Sequence, residues 1–187
     1  MYSIRSSGTR TVCELLEQLG YTLVRRRYLD HDVYGTPPTV PDDAGICTQI
    51  HNITNDEQVT RYPVIIPLRY PGRSLATGGL NTDSKPQQIK DRLDEFGRFI
   101  DSCEDIEARG EVLYLPIDAM LDETKLFQTL LDYSGATGSF DATSGFPRAG
   151  RTGKGDHPFA PNLPAFRAAE DFYDSRVEQV RGSLNGV

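Results

Sequence analysis

Val12, Leu15, Leu16 and Leu19 recur at i, i+3, i+4 and i+7, the period of one helix face, and Gly20 suits the position just past its end. Thr11 and Glu14 have the spacing of a capping box. Tyr21 to Leu29 (YTLVRRRYL) follows, rich in aromatic and branched residues, and reads as a strand. Residues 30–44 gather Gly35, Pro37, Pro38, Pro41, Asp42 and Asp43, the composition of a long turn. Ile46 to Ile53 reads as a second strand and Val59 to Tyr70 (VTRYPVIIPLRY) as a third, the most apolar of all. Pro63 and Pro67 share a parity in that third strand. One side of it therefore lacks two N–H donors, which predicts an edge strand paired on its other side.

Residues 71–84 read as a loop with three glycines. Beyond them Ile89, Leu93, Phe96, Ile100 and Cys103 fall on one helical stripe. Ser84 with Gln87 supplies a capping box and Pro86 suits the first turn. Val112 to Ile117 predicts a strand ended by Pro116 and Asp118. Asp122 to Tyr133 predicts a helix with Leu126, Phe127, Leu130 and Leu131 inside. Asn162 and Pro164 open a last helix burying Phe166, Ala169, Phe172 or Tyr173, Val177 and Val180. The order α-β-β-β-α-β-α-α predicts an α+β fold: a small mixed, mostly antiparallel sheet of about four strands packed by about four helices. One domain is expected over residues 1–187, with 134–161 as an extended Gly-rich loop or arm and 162–187 as the C-terminal helix. No internal repeat shows at periods of 20–50 residues.

The stretch 134–161 (SGATGSFDATSGFPRAGRTGKGDHPFAP) has no period of either kind. Loops longer than about 12–15 residues without structure of their own are uncommon in compact domains and are usually functional or disordered. Its apolar anchors are Phe140, Phe146, Phe159 and Ala160. Full burial of a Phe supplies about 1.5–3 kcal/mol, whereas fixing one backbone residue costs about 1–2 kcal/mol. Contacts within one chain are thus expected to lose to entropy, and a neighbouring subunit is expected to order the loop. Phe140, Phe146 and Phe159 would then enter a neighbour's pockets, while Arg148, Arg151 and Lys154 would meet carboxylates or phosphate.

Composition narrows the classes. The 187 residues are 37% apolar and 25% charged, with 12 Pro and 17 Gly, which excludes a collagen, a coiled coil, a disulfide mini-protein and a polytopic membrane protein. No window reaches the ~18 apolar residues of a membrane span. Positions 1–20 hold no apolar run of signal-peptide type, so a cytoplasmic or particle-assembled location is expected rather than secretion. Acidic residues outnumber basic ones 27 to 20, giving a net charge of −7. Such a balance argues against nucleic acid as the main partner, because the phosphate backbone would be repelled. Cys13, Cys47 and Cys103 are odd in number and far apart, which predicts free thiols rather than a disulfide framework.

Candidate chemistry is sparse. Gly150 to Asp156 (GRTGKGD) invites a phosphate-loop reading, but residue 148 is Arg where the first glycine belongs and residue 155 is Gly where Ser or Thr would reach a metal. Asp30-His31-Asp32, Cys47 with His51, and Asp156-His157 offer metal-ligand types without the two close pairs of a closed zinc site. No nucleophile elbow or local cysteine signature is present. Asp101, Glu104, Asp105 and Glu107 crowd one helix C-terminus, where they oppose the dipole. In the run Arg25-Arg26-Arg27, alternation sends Arg25 and Arg27 to one face as a possible interaction surface. No metal and no cofactor are expected.

These features predict a structural or interaction subunit of a larger protein assembly rather than an enzyme. The layout of a small core with long loops is in character with head–tail connector, tail-terminator or minor capsid proteins of phage and virus particles, a likeness of style and not of motif. Its partners would be copies of itself or other subunits. The rival readings are a small enzyme holding a phosphorylated or polar metabolite at residues 145–158, and a nucleic-acid-binding accessory protein using the 25–27 arginines.

Overall fold

The computed structural model describes residues 3–4, 7–24, 46–48, 63–119, 121–135 and 159–186. Its elements in chain order are α1 (Thr9–Gln18), β1 (Thr22–Val24), β2 (Ile46–Thr48), β3 (Val64–Leu68), α2 (Pro71–Thr77), α3 (Pro86–Arg109), β4 (Val112–Pro116), α4 (Glu123–Ser134) and α5 (Pro164–Asn185).

Among the described residues the expected four-stranded, mostly antiparallel sheet does not form. The described strands make two separate pairs, β1 with β2 and β3 with β4, and both pairs are parallel. The helices number five among the described residues, not four. The physical reason lies in the connections. An antiparallel hairpin needs a tight turn of a few residues, whereas a parallel pair needs a crossover of a dozen or more. Residues 25–45 separate β1 from β2, and residues 69–111, which include α2 and α3, separate β3 from β4. Both gaps suit crossovers.

The β3–β4 pair forms the centre. Val64 lies opposite Val112 and Leu68 opposite Pro116, in unbroken register. All five β3 residues are buried, as are four of five in β4. Strands covered on both faces read as continuous apolar runs, which is what VIIPL and VLYLP are. Among the described residues β3 pairs with β4 alone, in keeping with its prolines.

The helices follow from local signals with small shifts. In α3 the buried face is Leu93, Phe96, Phe99, Cys103 and Ile106, while Ile89 and Ile100 are half-buried. The expected cap also moves by one residue: Gln88, not Gln87, reaches back to accept from the Lys85 N–H at 3.2 Å. Ser84 serves the preceding turn instead, accepting from the Asn81 N–H at 2.9 Å. Helix α2 replaces the first half of the expected 71–84 loop. Pro71 occupies its first turn, where a missing N–H costs nothing, and Leu75 and Ser74 are buried under it. Helix α4 is capped by the Asp122 carboxylate, which accepts from the Lys125 N–H at 3.0 Å, and ends at Gly135 with φ 68°. Helix α5 lies across α3 and β4 with Phe166, Ala169, Tyr173, Val177, Val180 and Leu184 inward. Lys125 Nζ donates to the Leu184 carbonyl at 3.0 Å, tying α4 to the C-terminal end of α5.

The expected Thr11–Glu14 capping box is absent. Helix α1 begins at Thr9 after Gly8, whose φ is 91°. A side chain there would be strained by the left-handed backbone and would also collide with the end of Ile117. Gly8→Ala is expected to cost about 1–2 kcal/mol from that backbone strain, read as a lower midpoint in thermal melts. An unchanged midpoint would show that this turn adapts freely.

Candidate functional site

The two central strands run in the same direction, so their C-terminal ends share one edge of the core. In open α/β units that edge is where ligands bind. Here it carries Tyr70 and Arg73 from the β3–α2 junction, Asp118 just past β4, and Glu170 and Tyr173 from α5.

Asp118 is the hub. Its carboxylate accepts from the Tyr70 backbone N–H at 3.1 and 3.2 Å and from the Tyr173 hydroxyl at 2.7 Å. Its side chain is only 9% exposed, and the Arg73 guanidinium, 44% exposed, stands 3.8 Å away. The Tyr70 hydroxyl donates to Glu170. The Tyr70 ring meets Tyr173 and Phe166 edge-on, with centroids 5.9 and 6.4 Å apart. The hub therefore joins three parts of the chain: the end of β3, the end of β4 and the first half of α5.

Burial, then the Glu170 hydrogen bond and the charges of Glu170 and Asp174, push the Tyr70 phenol up to about 12. Burial followed by the Asp118 charge raises Tyr173 as well. Both phenols are held protonated as donors to carboxylates, which is the chemistry of a clamp. The outward-facing charge of the group is Arg73.

A second polar group lies between α3, β4 and α5. Arg176 places its guanidinium 5.0 Å from the Tyr114 and Phe172 ring centroids and pairs with Glu107 at 2.5 Å. Its Nε is buried without a hydrogen-bond partner, so contact with the two rings covers that side. This pairing accounts for one member of the acidic cluster at the end of α3. Asp105 lies 4.0 Å from Arg109, while Asp101 and Glu104 face solvent. Cys103, fully buried, has its thiol pushed up by that burial, and Cys13 is buried too. The Cys103 environment disfavours a reactive thiolate.

At the opposite strand ends, the Tyr133 hydroxyl accepts from the Val64 N–H at 3.0 Å and donates to the Glu111 carbonyl at 2.7 Å, strapping β3 to β4. Burial raises this phenol as well as Tyr114. A raised phenol keeps a proton in the native state that the unfolded chain releases above about pH 10. The stability it contributes is whole below that pH and is lost as pH rises through the native value, about 12 for Tyr70. Urea midpoints are thus expected to fall between pH 10 and 12, and less steeply for Tyr70→Phe. Identical pH profiles for the two proteins would remove Tyr70 from this account.

Of the interaction residues expected from the sequence, Phe159 is among the described residues. It is half-buried against this chain's own core, and its N–H donates to the Gly72 carbonyl at 3.0 Å. Phe140, Phe146, Arg148, Arg151, Lys154, Arg25 and Arg27 lie outside the described residues, as do Asp30, His31, Asp32, His51, Asp156 and His157. Among the described residues no group of three or more His, Cys, Asp or Glu side chains could hold a metal ion. None of the described helices is long and apolar enough to cross a membrane.

No protein-family model matches this chain, and no curated protein or solved structure matches it. The edge around Asp118 was missed in the sequence because its members are far apart in the chain. The available signal was two apolar runs of equal length, each followed within two residues by a polar side chain.

Proposed function

We propose that the chain is a structural or interaction subunit of a larger protein assembly, of the kind that builds phage and virus particles, and that residues 136–158 are its main contact element. The observation that supports this reading most is the pair of anchored ends. On one side, the Tyr21 hydroxyl donates to the Ser134 carbonyl at 2.6 Å, and Gly135 closes α4 with its N–H on the Leu131 carbonyl. On the other, Phe159 packs on the core and bonds Gly72 beside the Asp118 hub. Both roots belong to the packed body of the protein. The stretch between these two roots carries Phe140, Phe146, Arg148, Arg151 and Lys154, and a segment held at both ends costs less to order on binding than a free arm. Aromatic and Arg side chains are the residues that carry most binding energy at protein interfaces.

Native mass spectrometry of the purified chain at micromolar concentration tests the reading. A discrete multiple of the chain mass is expected, and Phe140→Ala with Phe146→Ala is expected to shift it toward the single chain. Arg148→Glu with Arg151→Glu should do the same, and more so at low salt, where charge contacts count most. A wild-type protein that is a single chain throughout, alone and in extracts of its native source, would count against it.

One observation favours a second reading, a small enzyme that binds a phosphorylated or polar metabolite at residues 145–158. That stretch is followed at once by Phe159, whose N–H bonds the Gly72 carbonyl in the first turn of α2, the helix that leaves the C-terminal end of β3, and in α/β units ligands bind at that edge. A thermal-shift screen with nucleotides, sugar phosphates and divalent ions separates the two. A ligand held only by the folded state at 100 times its Kd adds about 2.7 kcal/mol and raises the melting temperature.

A further inference from the structure

We draw no further inference here: the strongest candidate, the Tyr70–Arg73–Asp118–Glu170–Tyr173 cluster at the C-terminal ends of β3 and β4, belongs to the site already described, and its two hydrogen-bonded carboxylates are taken up by donors of this same chain.

Discussion

Asp118→Ala is expected to destabilise the protein by about 2–5 kcal/mol. The substitution leaves the Tyr70 N–H and the Tyr173 hydroxyl without their acceptor at a site where the carboxylate is 9% exposed. Each stranded donor costs about 1–3 kcal/mol in lost solvation. For a chain of this size, each kcal/mol moves the melting temperature by about 2–4 °C, so a fall of roughly 4–20 °C is expected. Asp118→Asn keeps one acceptor oxygen and should lose about half as much. A double-mutant cycle with Tyr173→Phe isolates the hydroxyl contact, since groups in direct contact couple and distant ones add. Single and double substitutions that simply add would show that Asp118 and Tyr173 do not act together. An Asp118→Ala melt within about 1 °C of wild type would remove the hub altogether.

Phe96→Ala is expected to cost about 3–5 kcal/mol, combining lost transfer energy with the cavity left behind. Phe96 is 5% exposed on the inner face of α3, and the Arg92 guanidinium stands 5.8 Å above its ring. The stripe read from the sequence also named Ile100, yet Phe99 is the buried neighbour. Phe99→Ala should therefore cost more than Ile100→Ala, although both remove large apolar side chains. Urea unfolding at neutral pH gives the ranking directly. Equal losses at the two positions would mean that α3 is rotated from the orientation described.

The difference between those two positions is small in angle and instructive in cause. A stripe at i, i+3, i+4 fixes a helix face only to within a residue's rotation. Ile89, Leu93, Phe96, Ile100 and Cys103 define one line along α3, and Leu93, Phe96, Phe99, Cys103 and Ile106 define another slightly turned from it. Helix α5 selects the second, because Phe172 packs edge-on to Phe99 at 6.4 Å and to Tyr114 at 6.2 Å. Nothing within α3 itself states where that aromatic pair will stand.

The sequence by itself determined the elements whose signals are local. Strand β4 and helix α4 fall where a short apolar run and a helical period starting at Asp122 place them, and α5 starts at Pro164 as its first-turn proline requires. Helix α2 was hidden by its glycines, because Gly72, Gly78 and Gly79 outweigh the single start signal of Pro71. Only the tertiary structure decided how strands pair. A strand's own residues do not specify the direction of its neighbour, and the two-sided burial of VIIPL and VLYLP arises only once helices cover both faces. The Asp118 hub belongs to the same class. Asp118 meets Tyr70 and Tyr173 across 48 and 55 positions of the chain. Such a contact forms only after parallel pairing has brought two strand ends to one edge and α5 has closed over them, and no local pattern of residues encodes that meeting.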